Sequence, residues 1–174
     1  MSGTLPTSPA FSALNIRSVQ PTFVSRTISG RRQARQIGGQ FWKMTASFPP
    51  MTRAQFAPIF AFILKQRGQY ESFQIIPPVL NAGLGSPAGT PLVANAAQTG
   101  RSVVTDGWNA SITIFKAGDY VKFANHDKVY AVTVDATSNG SGESSITIEP
   151  ALITSPANDS AITYTSVPFT VALT

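Results

Sequence analysis

The stretch Phe41–Pro78, FWKMTASFPPMTRAQFAPIFAFILKQRGQYESFQIIPP, constrains the chain most tightly, because a strand, a helix and a second strand can be read in it with their punctuation. In FWKMTASF, Phe41, Trp42, Met44 and Phe48 are threaded with small and polar residues, the pattern of a half-buried strand. Pro49-Pro50 ends it, since proline brings no N–H to a ladder and restrains the residue before it. Thr52 followed by Gln55 predicts a capping box at a helix start. Phe56, Ile59, Phe60 and Ile63 then share one helical face, with Leu64 on its shoulder and Phe62 at its outer edge. Gly68 stands where a helix C-terminus favours positive φ, and YESFQII alternates again. The expected unit is a helix lying on a sheet around an aromatic core. Pro58 breaks a local rule: it removes a helical hydrogen bond and costs about 3 kcal/mol in a regular interior. A kink, or a helix whose regular part begins later, is therefore expected.

Of the 174 residues 43% are hydrophobic, enough for a core, but only 12% are charged, against a usual share of about 25%. A β-protein with a Ser/Thr surface has this composition, and so does a subunit covered by neighbours, because interface cores are depleted in charge. The charge is also uneven. Residues 1–100 hold nine Lys/Arg and one acid, Glu71, whereas residues 101–174 hold four Lys/Arg and seven acids. Such an asymmetry suits an oriented assembly, although the two signs can equally neutralise each other within one fold. The absence of cysteine excludes disulfides and cysteine-ligated metals. MSGTLPTSPAF lacks the features of a signal peptide. The apolar run inside FAPIFAFIL falls far short of the roughly 20 residues that span a bilayer, so a soluble chain without membrane contact is expected.

Residues 1–13 read as an N-terminal arm, either a loose tail or an extension anchored on a neighbour by Leu5, Phe11 and Leu14. LNIRSVQPTFVSRTIS then gives two extended pieces, and SGRRQARQIGGQ a glycine-flanked loop carrying Arg31, Arg32 and Arg35 at its tip. Basic tips grip phosphate, but no aromatic is interleaved here as single-strand binders require. An acidic protein surface is therefore the favoured partner over nucleic acid. Gly83, Gly85 and Gly89 follow a GxGxxxG spacing with Pro87 between them, which fits neither a dinucleotide loop nor a P-loop. From residue 102, SVVTDGW, ASITIF, YVKFAN, KVYAVTVDA and SSITIEPAL are short strands spaced like those of a small barrel or sandwich. Asn139-Gly140-Ser141-Gly142 predicts a hairpin between the last two. VPFTVAL ends the chain as an apolar strand that must pair with the first half.

No constellation for catalysis is present. His126 is the sole histidine, and its neighbour Asp127 cannot by adjacency supply a triad. Asp106, Asp119, Asp127 and Asp135 lack metal-binding spacing, and Asp119 and Asp127 suit ordinary turn positions. Trp42 and Trp108 read as core or interface anchors. Catalytic, cofactor and metal sites are all expected to be none.

SRTISGRRQARQIGGQFWKMTASFPPMTRAQFAPIFAFI followed by RGQYESFQIIPP resembles the distal tail and tail-tip proteins of long-tailed bacteriophages, over less than half of the chain. FKAGDYVKFANHDKVYAVT is similar to the small β-barrel inserted in some members. The resemblance implies a mainly β fold with one principal helix: a tail-tube-like β-barrel or sandwich with a flanking helix, plus a small inserted β-barrel. The corresponding divisions are an arm at 1–13, a tail-tube-like domain at 14–101 and 156–174 with its helix near 52–67, and an OB-like insertion at 102–155. It further implies a structural virion protein, assembled in the host cytoplasm, whose six copies close into a ring. That ring would join the tail tube protein to baseplate or tail-tip hub proteins. Arg31, Arg32, Arg35, Phe62 and Phe11 are the residues expected at subunit or partner interfaces. The alternative is a β-barrel module that binds oligosaccharide or single-stranded nucleic acid.

Overall fold

Proline and glycine punctuation divides Pro9–Met51 into four strands, and the computed structural model, which describes residues 1–174, pairs them in two separate ladders. Strand β1 (Ala13–Val19) runs antiparallel to β4 (Phe41–Ser47), with Ala13 opposite Ser47 and Val19 opposite Phe41. Between them, β2 (Thr22–Arg26) and β3 (Arg32–Gln36) form a ribbon. Trp42 and Met44 alternate with exposed residues along β4, as the half-buried pattern predicts. Yet no hydrophobic residue of Pro9–Met51 is fully buried. This segment is a compact unit separate from that formed by Met1–Ser8 with Thr52–Thr174.

In the second unit, helix α1 spans Arg53–Lys65 as one run that begins ahead of Pro58 and continues through it. The proline deprives only the Ala54 carbonyl of its helical partner, and Ala54 is exposed to water. At the start, the Thr52 backbone N–H donates to Gln55 Oε1 at 3.0 Å, the glutamine's half of a capping box. At the end, Arg67 (φ 54°) turns left-handed one residue before Gly68 (φ 69°). The buried face differs from the expected one. Ile59 and Gln66 are buried and Phe62 and Ile63 half-buried, whereas Phe56, Phe60 and Leu64 stay exposed. Phe62 packs edge-on against Phe73, with ring centroids 5.5 Å apart.

Phe73 lies on β5 (Ser72–Ile75), which is flanked on one side by residues 2–5. The Ser2 and Leu5 N–H groups donate to the Ser72 and Gln74 carbonyls, each at 2.8 Å. Gln66 ties this edge to the helix: its side chain takes a hydrogen bond from Ser2 Oγ and donates to the Phe62 carbonyl at 2.8 Å.

The largest core belongs to a curled sheet of six strands: β6 (Gly89–Val93), β7 (Ser102–Trp108), β9 (Tyr120–Phe123), β10 (Val129–Val132), β12 (Ser144–Glu149) and β13 (Ile162–Thr163). Their order is β13-β9-β10-β12-β7-β6. The two outer strands come together to close it: Leu92 bridges Ala161, and Val93 N–H donates to the Ser160 carbonyl at 3.0 Å. Alternation places Val103, Val121, Tyr130, Ile146 and Ile148 inside, all fully buried. A shorter pair, β8 (Thr113–Phe115) and β11 (Ala136–Thr137), adds Ile114 and Phe115 to the same core. The turn at Asn139 forms, with its N–H donating to the Glu143 carbonyl at 2.8 Å. Its flanking strands do not make a simple hairpin, because β11 pairs with β8 while β12 pairs with β7 and β10. The last strand, β14 (Phe169–Ala172), leaves the barrel and pairs antiparallel with β5, setting Phe169 opposite Ile75. The fold is thus mainly β, with one principal helix and a nearly closed small barrel.

Candidate functional site

The β2–β3 ribbon is exposed on both faces along its whole length. Its turn is local: Gly30 N–H donates to the Thr27 carbonyl at 2.9 Å, with Gly30 at φ 78°. Only Arg31 belongs to that turn. Arg32 and Arg35 lie on β3, an odd number of residues apart, and therefore on opposite faces. Arg35 stands across from Phe23, which is 60% exposed, and Arg32 stands across from Arg26. Like charges placed directly opposite oppose pairing, and no ion pair of this chain involves any of these four arginines. Isolated two-stranded ribbons are at best marginally stable in water. This one carries no core and an unneutralised cationic pair.

The remaining expected interface residues are spread over other elements. Phe11 is half-buried, its ring 5.0 Å from that of Phe48. Phe62 is half-buried on Phe73 and faces its own sheet. The helix instead exposes Phe56, Phe60 and Leu64, 46%, 45% and 61% accessible, spaced four residues apart along one stripe. Phe56 and Phe60 stack with centroids 5.2 Å apart. Sequence reading missed this stripe because FAPIFAFIL is apolar nearly all round and gives the helix no polar back.

Two side chains in the barrel have larger structural roles than their turn positions suggest. Asp119 is buried and accepts N–H bonds from Lys116 at 2.8 Å, Leu84 at 2.6 Å and Gly85 at 3.3 Å. It therefore fastens the glycine-rich segment to the barrel. A Cβ on Gly85 would lie 2.3 Å from the Ile114 carbonyl oxygen, so that glycine serves close packing. His126 is buried, and its Nδ1 is 3.0 Å from the Tyr130 hydroxyl. Burial pushes its pKa down, offset in part by the Ser155 backbone carbonyl. No group of three or more His, Cys, Asp or Glu side chains is placed to hold a metal. No helix is long and apolar enough to cross a membrane.

The barrel, including the segment fastened by Asp119, coincides with what comparison recognises. Residues 82–167 match the family model described as the distal tail protein pb9, B domain. No curated protein matches the chain. Over these residues, just under half of the chain, the sequence is similar to the distal tail protein family of bacteriophages.

Proposed function

We propose that this chain is a structural component of a bacteriophage tail, assembled in the host cytoplasm, in which about six copies form a ring at the distal end of the tail tube. The ring would connect the tube to baseplate or tail-tip hub proteins. One observation carries this reading: Pro9–Met51 forms two ladders without a single buried hydrophobic side chain. A segment of that kind gains its stability from surfaces supplied by others. The family match supports the setting, and the division into a tail-tube-like part at 14–101 and 156–174 with an insertion at 102–155 belongs to the same proposal. The exposed stripe Phe56–Phe60–Leu64 gives a second apolar surface to cover.

Charge gives the contacts a direction. In a ring the interface is heterologous, so unlike surfaces meet. The cationic ribbon with Arg31, Arg32 and Arg35 would dock against the acid-rich second half of a neighbour or of an adjacent ring. Phe11 would anchor the strand start beside it, and Phe62 would contribute only its accessible edge. The test replaces Arg31, Arg32 and Arg35 together with Ser. Light scattering and negative-stain imaging should show loss of rings, while circular dichroism reports an unchanged fold. Rings formed as readily by the triple variant would refute the assignment of these arginines.

A further inference from the structure

Helix α1 leaves an ordered apolar face uncovered. Arg53, Phe56, Phe60 and Leu64, spaced three, four and four residues apart, share that face, and all four are exposed. Phe56, Phe60 and Leu64 form one ridge. Ala57 and Ala61, also exposed, form the neighbouring row of small side chains. A ridge of large residues beside a row of small ones is the relief into which the ridges of a second helix pack.

Charge marks both ends of the ridge. Arg53 stands at its N-terminal end, and Lys65 and Arg67 at its C-terminal end, all exposed. None of the three takes part in an ion pair of this chain, and the only acid among residues 1–100, Glu71, lies past the helix. Lys65 suits a last turn, but Arg53 is the first helical residue, and the first turn holds no acid. The helix macrodipole disfavours a cation there. A residue that breaks a local rule with no compensating contact in its own fold points to a contact outside it.

These charges select the occupant. A second copy of the same face would set Arg53 against Arg53 in a parallel pairing, or against Lys65 and Arg67 in an antiparallel one, and like charges oppose both. Helices that lie in a membrane interface carry Lys and Arg along the polar face behind their apolar one. Here the face behind the ridge is packed, with Ile59 and Gln66 buried, and the cations stand only at the ends. We infer that this face of α1 docks an amphipathic helix of another protein. That helix lays large apolar side chains along the Ala57–Ala61 row and sets carboxylates against Arg53 at one end and Lys65 and Arg67 at the other. The contact needs one chain only, so it does not depend on ring formation.

The test is a fluorescence-anisotropy titration of the full chain, in its monomeric fraction, with two labelled amphipathic peptides of about four helical turns. Both carry Leu at helical spacing along one face; one has Glu at both ends and the other Lys. The Glu peptide should bind saturably, about tenfold or more tighter than the Lys peptide, and more weakly as salt is raised. Phe60→Ser, a change at an exposed position, should weaken it about tenfold or more. Arg53→Glu, Lys65→Glu and Arg67→Glu combined should reverse the preference toward the Lys peptide. Thermal melts identify any variant that fails to fold, and the comparison of the two peptides on the unaltered chain stays decisive if one does. No saturable binding of the Glu peptide, equal binding of both peptides, or a folded Phe60→Ser variant with unchanged affinity would overturn the inference. Binding to phosphatidylglycerol vesicles that Phe60→Ser abolishes would overturn it in favour of a membrane. Self-association abolished by Phe60→Ser in sedimentation velocity would overturn it in favour of a second copy.

Discussion

Replacing Asp119 with Ala should loosen the barrel from the glycine-rich segment that leads into it. The carboxylate is only 4% exposed. One oxygen accepts from Leu84 N–H at 2.6 Å, and the other from Lys116 N–H at 2.8 Å and Gly85 N–H at 3.3 Å. Charge-assisted hydrogen bonds of this kind contribute about 1.5–3 kcal/mol each. Counting the two short ones in full and the long one as minor gives a loss of about 3–6 kcal/mol. For a chain of this size that lowers Tm by roughly 10 °C. Asp119→Asn should fall between, because its single amide oxygen can serve the Lys116 and Gly85 donors but then leaves its NH₂ facing Leu84 N–H. Urea and thermal unfolding of the three proteins measure the series. A loss below about 1 kcal/mol for the Ala variant would refute the view that Asp119 fastens this segment.

The glycines should separate by what surrounds them. Gly85→Ala, whose new Cβ would meet the Ile114 carbonyl oxygen at 2.3 Å, should cost about 1–3 kcal/mol in urea unfolding, while Gly140→Ala, with nothing within 4 Å, should stay within about 0.5 kcal/mol. His126 should make the fold acid-sensitive. Its folded pKa lies below the ordinary 6.5, so the unfolded chain takes up its proton first. The stability it contributes is complete above 6.5, falls as pH drops through that value, and levels off below the folded pKa. Tm measured from pH 7.5 to pH 5 should decline in the wild type and less steeply in His126→Phe.

Much of this architecture was legible because it rests on local chemistry. Thr52 and Gln55 mark the helix start, and the alternation of Tyr130 with Val132, and of Ile146 with Ile148, marks strands with one face inside. What remained hidden depends on distant partners. The helix turned Phe62 inward and Phe56 and Phe60 outward because Phe73, on a strand seven residues past the helix C-cap, receives the ring. Asn139–Gly142 forms its turn, but the pairing of β11 with β8 is decided by barrel closure, which the turn cannot encode. β6, GTPLV, carries a glycine and a proline that weaken its strand pattern, yet it is the strand that meets Ala161 to close the barrel. Gln66 reads as a helix-end polar residue, and its burial follows from Ser2 and Phe62 converging on it. Of the expected interface residues, the arginines were legible as an exposed basic loop, whereas the split of Arg32 and Arg35 between two faces required the register of β3.

The dependence of Pro9–Met51 on neighbouring subunits is tested most directly by amide hydrogen exchange, read separately on monomeric and assembled fractions of the purified chain. In the monomer, amides of β1 to β4 should exchange nearly as fast as in an unstructured chain, while those of β7, β10 and β12 remain protected. In the ring, protection should extend to β1 to β4. Protection of β1 to β4 in the monomer equal to that of the barrel strands would contradict it.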